Sequence, residues 1–421
     1  MGAPMAGLPL PFLENADRLK ATTAEEASPL VLVLGGSTFM GRATLDALLQ
    51  VRARICVVNR GRFYWGTKDP SNGRVARVTA DRRDKQSFAE RIDAVTSRAV
   101  QNEPSRAWSL VADFSAYDGN DINAALEGLR GRFHLYAYIS SDSVYEVSKL
   151  AGEGWQSGVT HVSEGSSARP TEAEMRKKLR KADGYGDGKL EAEEALCAGI
   201  SCLSAEHPIR AIALRLPDVL GPYDDTFRLW AYWHWWHSGP ENRPQVKKQT
   251  LKRSSPDSHP GADPADPPLA FVFSHDVARF LVHLITQVPD LPAANQSHFD
   301  AVNLGCDLQI PMRNFLELLA QASGLHGVSP ACVERPKGFL PSVDRPLPLD
   351  FKKLKETYLF SATPLEEVLK VCADWFSDAC KHFPEEAAEA AMKLPPSARA
   401  PALAYAGLEM PQSPSSDSSS S

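Results

Sequence analysis

The stretch that decides the fold of this 421-residue chain runs Leu30-Val31-Leu32-Val33-Leu34-Gly35-Gly36-Ser37-Thr38-Phe39-Met40-Gly41. Its first five residues form an unbroken apolar run, which is typical of a strand buried on both faces of a parallel sheet. Two glycines end the run, and apolar residues then recur with helical spacing at Met40, Ala43, Ala47 and Val51. A strand, a tight glycine-rich turn and a helix in this order direct backbone N–H groups and a helix N-terminus at a phosphate group.

Further strands and helices alternate along the chain after this turn. We predict strands at 54–61, 75–81, 108–116 and 135–145, with helices at 85–96 and 121–129. This alternation implies right-handed crossovers and an α/β fold, a doubly wound parallel sheet of Rossmann type. Ligands bind such sheets beyond the carboxyl ends of the strands. Because Gly35, Asp81, Ser115 and Ser141 stand at such ends, we expect one crevice to collect them.

The residues after the second strand bear on the choice of cofactor. In a dinucleotide-binding sheet an acidic residue here binds the ribose hydroxyls of NAD, whereas a basic residue accommodates the 2′-phosphate of NADP. This chain has Asn59, Arg60 and Arg62 and no acid. We therefore predict NADP as the cofactor and NAD as the second choice. The alternative is a solvated basic turn.

Tyr185 and Lys189 are the strongest candidates for catalysis. They are four residues apart, so a helix would place both on one face. A phenol has a pKa near ~10, and a neighbouring ammonium group lowers it. We therefore expect Tyr185 to move a proton on or off a carbinol oxygen, with Lys189 tuning its pKa. Ser141, at the end of a predicted strand, could hydrogen-bond the same oxygen.

From about Val31 to Phe376 the chain resembles the extended short-chain dehydrogenase/reductase superfamily, the branch of NAD(P)-dependent epimerases and dehydratases. The motifs that carry this resemblance are Gly35-x-x-Thr38-x-x-Gly41, Asp81, Ser141-x-x-Val144-Tyr145, Tyr185-x-x-x-Lys189 and Leu214-Arg215-Leu216-Pro217-Asp218-Val219-Leu220-Gly221-Pro222. The resemblance implies a Ser141, Tyr185 and Lys189 site in which Lys189 also holds the nicotinamide ribose. It implies adenine contact by Asp81, nicotinamide packing near Pro217, and substrate binding by the C-terminal third.

The resulting candidate sites are as follows. The catalytic residues are Ser141, Tyr185 and Lys189. The cofactor-binding residues are Gly35, Ser37, Thr38, Phe39, Met40, Gly41, Asn59, Arg60, Asp81, Arg82, Phe114, Ser115, Ala116 and Pro217. No metal site is expected. The predicted activity is that of an oxidoreductase, epimerase or dehydratase acting on a hydroxyl or carbonyl group of a small, sugar-like substrate.

Two departures from the family pattern keep other interpretations open. Thr38 replaces the middle glycine of the family motif, and Ser141 and Tyr185 are 44 residues apart (185 minus 141), more than the family usually shows. The glycine-rich turn is also similar to that of the chloroplast stem-loop RNA-binding proteins. An RNA-binding relative, or a binding protein that holds a dinucleotide without turnover, is therefore the alternative. Residues 183–194 additionally resemble an EF-hand calcium loop, although Tyr185 stands where a carboxylate is needed.

Composition narrows the remaining possibilities. A formal charge of −6 argues against a nucleic-acid-binding surface, and no apolar stretch is long enough to cross a bilayer. Seven scattered cysteines without a Cys-x-x-Cys pair favour a reducing compartment, so we expect a cytoplasmic protein. The expected partners are a small-molecule substrate and, as a possible homodimer, a second copy of the chain.

The expected domain organisation has four parts. They are an N-terminal extension at 1–28, a dinucleotide-binding domain at 29–222 with an insertion at about 146–184, a smaller C-terminal α/β substrate-binding region at 223–384, and a disordered tail at 385–421. Four tryptophans lie within residues 230–236, and we interpret this aromatic helix as core.

Overall fold

The computed structural model describes residues 13–14, 28–62, 64–65, 73–99, 107–153, 161–203, 208–247, 267–286, 298–343 and 348–409. The chain divides into two compact units. The first contains Met1–Val219, Val272–Gly305 and Leu349–Ala362, and the second contains Leu220–Phe271, Cys306–Pro348 and Thr363–Ser421.

The described strands are β1 (Leu13–Glu14), β2 (Leu30–Leu34), β3 (Arg54–Asn59), β4 (Ala76–Thr79), β5 (Leu110–Asp113), β6 (Leu135–Ser141), β7 (Arg210–Leu216), β8 (Asp218–Leu220), β9 (Gln245–Lys247), β10 (Phe271–Phe273), β11 (His298–Asn303) and β12 (Ala331–Val333). The main sheet belongs to the first unit and has the order β1-β4-β3-β2-β5-β6-β7-β11. Seven of its strands are parallel, and β1 pairs antiparallel with β4. β8 pairs with β10 and β9 with β12 in two small sheets.

The described helices are α1 (Phe39–Gln50), α2 (Lys85–Ala99), α3 (Gly119–Leu129), α4 (Lys149–Gly152), α5 (Ala173–Ala182), α6 (Gly184–Cys202), α7 (Arg228–Trp236), α8 (Ser274–Thr286), α9 (Met312–Ala322), α10 (Lys352–Glu356), α11 (Leu365–His382), α12 (Pro384–Met392) and α13 (Pro396–Tyr405). Among these helices, none combines the length and the apolar character that crossing a membrane requires.

The apolar run of β2 shows why this sheet is covered on both faces. Leu30, Leu32 and Leu34 face a core shared with α2, α3 and α6, whereas Val31 and Val33 face a second core shared with α1 and α8. Alternate side chains of a strand point to opposite faces, so a strand that alternates between two cores must be apolar at every position. The predicted doubly wound parallel sheet of Rossmann type is confirmed.

Both ends of the described chain contain elements that the prediction did not include. The N-terminal extension contributes the two-residue strand β1, because the outer edge of β4 offers unpaired backbone groups. The predicted disordered tail begins instead with α12 and α13, whose alanines Ala387, Ala391 and Ala402 are fully buried. The prediction of disorder over these residues was wrong, because small side chains allow close helix packing even in an Ala/Pro-rich segment. Residues 410–421 lie outside the described part.

The second unit contains the aromatic helix α7. Trp230, Trp233, Trp235 and Trp236 are all buried, as expected for core residues. Trp230 stacks on Phe376 of α11 with ring centroids 5.6 Å apart. Aromatic stacking therefore joins two helices that are 146 residues apart in the chain (376 minus 230).

Candidate active site

The glycine-rich turn between β2 and α1 has the geometry that the sequence predicts. Gly35 and Gly36 both adopt left-handed backbone conformations, with φ of +96° and +75°. A Cβ atom at Gly35 would lie 3.2 Å from the Cβ of Ser115, and one at Gly41 would collide with the backbone of Gly36. Glycine is therefore needed here for its conformation and for the close approach of two backbones.

The N-terminus of α1 faces this turn. Thr38 occupies the N-cap position in an extended conformation, and its side chain makes no capping hydrogen bond. The first turn of α1 contains no acidic residue. Since N–H groups at a helix start lack partners within the helix, this end suits an anion such as a pyrophosphate. Phe39 stands here at a φ of +47°, a strained conformation for a residue with a side chain.

Asn59 joins the glycine-rich turn to the turn after β3. Its Nδ2 donates to the Oγ of Ser37 at 3.0 Å, and its Oδ1 accepts from the backbone N–H of Gly61 at 2.9 Å. Arg60 is exposed. Asp81 accepts from Arg83 at 2.6 Å, and this arginine, with a smaller contribution from Arg60, lowers the pKa of Asp81. The adenosine end predicted from the sequence thus has one carboxylate beside two arginines.

Arg82 is turned into the protein rather than toward the crevice. Its two terminal nitrogens donate to the two carboxylate oxygens of Asp113, each at 2.7 Å, and Nη1 also donates to the Oγ of Ser115 at 2.7 Å. Asp113 accepts in addition from the backbone N–H groups of Ser115 and Ala116. Arg82, which the sequence predicts to contact the cofactor, therefore supports the segment after β5 in the structure.

The other predicted cofactor residues lie at carboxyl ends of strands. Phe114 and Ser115 follow β5, and a Cβ atom at Gly35 would lie 3.3 Å from that of Phe114. Ala116 is fully buried. Pro217 is buried between β7 and β8, and Met40 lies in the first turn of α1. These positions all belong to the first unit.

The structure brings Ser141, Tyr185 and Lys189 together despite their separation in the chain. Ser141 ends β6, and Tyr185 and Lys189 lie one turn apart near the start of α6. Tyr185 is half exposed and Lys189 is 4% exposed. The Nζ of Lys189 lies 5.6 Å from the centre of the Tyr185 ring. The side chains of Ser141 and Tyr185 are hydrogen-bonded to each other.

Close packing at the start of α6 explains this convergence. The carboxylate of Asp183 caps the helix by accepting from the backbone N–H of Gly186 at 2.8 Å. A Cβ atom at Gly186 would collide with the carbonyl oxygen of Ser143, so α6 approaches the turn after β6 more closely than a side chain would allow. Because residues 184–202 are helical, the EF-hand loop considered above does not form. Within the described residues, no cluster of His, Cys, Asp or Glu side chains is arranged to hold a metal ion.

The electrostatics of this group differ from our expectation. Burial lowers the pKa of Lys189 to about 8. Loss of solvation and the neighbouring Tyr117 and Asp142 raise the pKa of Tyr185 to about 12, against the smaller effect of Ser141. The pKa of Tyr185 is therefore raised, where the sequence predicted a lowered value, because loss of solvation disfavours the phenolate.

Sequence reasoning missed Asp142, which follows Ser141 directly. Ser141 donates to its Oδ1 at 3.2 Å. Burial, reinforced by Asp218 and Glu146, raises the pKa of Asp142 to about 8. A carboxyl group whose pKa is raised by burial and by neighbouring acids is typical of functional sites. An acid placed between two serines at the end of an apolar strand was the available signal.

A second buried arginine connects α6 to the strands. Arg215 of β7 binds Glu193 of α6, with Nη2 to Oε2 at 2.7 Å. Ser140 donates to the same carboxylate at 2.6 Å. Arg169, in the predicted insertion, binds Glu194 of α6 at 2.8 Å and also pairs with Asp187. These contacts hold the helix that carries Tyr185 and Lys189.

A model of a known protein family matches more than half of the sequence. The model of the NAD dependent epimerase/dehydratase family matches residues 31–305. The chain belongs to that family. Its members are enzymes of the extended short-chain dehydrogenase/reductase type, so the predictions of the family and of an enzyme are confirmed.

Solved structures of low sequence identity share the fold. The UDP-glucose 4-epimerase of Thermotoga maritima, solved with UDP-glucose, is 16% identical with a TM-score of 0.57, and the match covers 83% of this chain and 99% of that one. The dTDP-glucose 4,6-dehydratase of Bacillus anthracis, solved with NAD, is 12% identical with a TM-score of 0.57, covering 85% and 100%. The UDP-glucose 4-epimerase of Thermus thermophilus, solved with NAD, is 17% identical with a TM-score of 0.55, covering 83% and 99%. No curated protein sequence matches the chain.

Proposed function

We propose that this chain binds a nicotinamide dinucleotide along the carboxyl ends of β2, β3 and β5 and acts on a small, sugar-like substrate beside Tyr185. The observation that carries the proposal is the glycine-rich turn between β2 and α1. Gly35, Gly36 and Gly41 form a tight turn in which a Cβ atom would press on Ser115, Val33 or the backbone of Gly36, and this turn leads directly into a helix N-terminus without a side-chain cap. The bound dinucleotide would supply or accept the hydride.

Tyr185 would transfer the proton that accompanies the hydride. With a pKa raised to about 12, its hydroxyl is protonated at neutral pH, which suits a proton donor to a carbonyl oxygen. Ser141 would orient that oxygen through a hydrogen bond. In the reverse direction the phenolate form of Tyr185 takes the proton from the substrate hydroxyl group as the hydride leaves the carbon. Lys189 would supply positive charge beside Tyr185 in either direction.

Epimerisation and dehydration are both consistent with this arrangement, and Asp142 favours the second. Loss of water requires an acid for the departing hydroxyl group besides the group that serves the carbonyl oxygen. Asp142, with its pKa of about 8, would supply it beside Ser141. A product lighter than the substrate by the mass of water would identify a dehydratase; a product of unchanged mass would identify an epimerase.

Tyr185→Phe is the direct test of the proposed chemistry. We expect turnover to fall by about 10²–10⁴-fold, the usual contribution of a proton-transfer group, with dinucleotide affinity unchanged. Mass spectrometry of molecules that co-purify with the protein would identify the substrate for this assay. Tyr405→Phe, at an exposed tyrosine of the second unit, is the matched control. A Tyr185→Phe variant with the wild-type rate would contradict the role of Tyr185.

The identity of the dinucleotide needs its own titration. Exposed Arg60 and the absence of an acid after β3 support NADP, whereas the family description and the NAD-bound structures above support NAD. We propose NAD as the better-supported cofactor. Calorimetry with NADH and NADPH should then show NADH binding at least as tightly. If NADPH binds more tightly and Arg60→Ala narrows the difference, NADP is the cofactor.

The RNA-binding alternative stays testable by a gel shift at low and high salt. A retarded band that disappears as the salt concentration rises would favour it over the enzyme.

A further inference from the structure

Tyr117 is an exposed tyrosine whose backbone is held firmly on both sides. Its backbone N–H donates to the Oδ2 of Asp121 at 2.8 Å. Its carbonyl oxygen faces Gly188 of α6, where a Cβ atom would lie only 2.5 Å away. The side chain is nevertheless 61% exposed. Its ring lies beside the proposed catalytic group, with the ring centre 5.1 Å from the Nζ of Lys189.

Three phenol rings surround the ammonium group of Lys189. The distances from Nζ to the ring centres are 5.1 Å for Tyr117, 5.0 Å for Tyr138 and 5.6 Å for Tyr185. Such distances are those of cation–π interactions. The ammonium group also donates to the carbonyl oxygens of Ala116 at 3.0 Å and Ile139 at 2.9 Å.

Two of these three rings are exposed to solvent. Tyr138 is fully buried on the inner side, whereas Tyr117 and Tyr185 present their outer surfaces to water. The Tyr117 and Tyr185 rings meet edge to face, with centroids 6.4 Å apart and an interplanar angle of 61°. Lys189 itself is almost fully buried, although two of the three rings beside its ammonium group are exposed.

We infer that Tyr117 is the positioning residue of Lys189: its ring covers the ammonium group and keeps it against the carbonyl oxygens of Ala116 and Ile139. Removing the ring admits water to the cation. Water restores hydration and so raises the pKa of Lys189 from its lowered value toward that of an ordinary lysine. The charged and titratable groups that face Lys189 are Asp113, Asp121, Glu193, Arg82, Tyr117, Tyr138 and Tyr185.

The consequence for catalysis rests on the proposed function. If Lys189 assists Tyr185 as a cation, the fraction of protonated Lys189 limits the rate at alkaline pH. Tyr117 then sets the pH above which this assistance is lost, although it donates no proton itself.

The cover itself is testable without substrate or turnover. The ligand-free, full-length protein is labelled with trace acetic anhydride between pH 6 and 11, and mass spectrometry follows acetylation of Lys189. In Tyr117→Ala we expect the limiting rate of labelling at high pH to rise about tenfold and the midpoint of the pH dependence to move upward. Tyr117→Phe keeps the ring and should match the wild type.

Several controls separate this effect from general loosening. Tyr405→Ala removes another exposed tyrosine, 58% exposed and in the second unit, and should leave Lys189 labelling unchanged. Lys85, which pairs with Asp121, should keep its wild-type labelling rate in Tyr117→Ala. The inference is overturned if Lys189 labels equally in Tyr117→Ala and wild type, if Lys85 accelerates equally, or if wild-type Lys189 labels as fast as exposed Lys177. The Tyr185→Phe assay addresses the proposed function separately.

Discussion

Arg82 and Arg215 lie in two buried networks of the first unit that are built from the same chemical parts. Each arginine donates to a carboxylate through two nitrogens. Arg82 binds Asp113 in this way, and Arg215 binds Glu193. Each network also includes serine and tyrosine hydroxyls. Tyr136 donates to Asp113 at 2.5 Å, and Tyr145 accepts from Arg215 at 3.2 Å.

The two networks differ in the segments that their remaining hydrogen bonds hold. Arg82 and Asp113 bind the residues after β5, which lie beside the glycine-rich turn. Arg215 reaches into the predicted insertion, where it donates to the carbonyl oxygen of Glu164 at 2.7 Å and to the Oγ of Ser167 at 2.8 Å. The Arg82–Asp113 pair therefore holds the segment after β5, and the Arg215–Glu193 pair holds part of the predicted insertion.

Removing either arginine should have the largest effect on stability. We expect Arg82→Met and Arg215→Met each to lower the free energy of unfolding by about 3–5 kcal/mol, because each leaves a buried carboxylate without its cation. Urea unfolding measures this loss. Arg83→Met, at an exposed pair with Asp81, should leave the free energy of unfolding close to the wild-type value, because solvent screens exposed ion pairs. Equal losses in all three variants would remove the distinction between buried and exposed pairs.

Serine substitutions should sharpen the comparison. Ser140 is buried and donates to the Glu193 carboxylate, so Ser140→Ala should cost about 1.5–3 kcal/mol. Ser115 accepts from an arginine that Asp113 already holds, so Ser115→Ala should cost less, about 0.5–1.5 kcal/mol. The same urea experiment distinguishes the two. The reverse order would show that the β5 network depends more on its hydroxyl group.

Asp142 supplies a contrast in pH dependence with the arginine-paired Asp113. Arg82 lowers the pKa of Asp113, whereas burial and the acids Asp218 and Glu146 raise that of Asp142 to about 8. A raised folded-state pKa means that the folded protein binds the proton more tightly, so the stability contributed by Asp142 falls between about pH 4 and 8.

Asp142→Asn should remove this decline, an effect of about 1–2 kcal/mol after allowance for partial solvent screening. Urea midpoints at pH 4.5, 6.5 and 8.5 measure it. Asp113 has the opposite sign: its stabilisation is present above the ordinary pKa and is lost on acidification below about pH 4. Parallel pH profiles for the wild type and Asp142→Asn would show that Asp142 keeps an ordinary pKa.

The local parts of the fold were predictable from the sequence. The apolar run of β2 was predictable because a strand buried on both faces must be apolar at every position. The glycine-rich turn was predictable because the left-handed backbone at residues 35 and 36 favours glycine. The helix predicted at 121–129 lies within Gly119–Leu129, the helix that the structure shows. Patterns that depend on long-range burial were not predictable in the same way. Residues 384–405 form two helices because their alanines find a packing surface, which composition does not reveal.

The candidate site divides along the same line. The sequence by itself predicted the grouping of Ser141, Tyr185 and Lys189, because they stand at a strand end and on one helix face. Only the tertiary structure decided their protonation and their surroundings: Tyr117 covers Lys189, Arg82 turns inward, and Asp142 joins Ser141. The reason is that pKa values depend on desolvation and on charges brought close through space, and neither quantity is encoded in the spacing of residues along a chain.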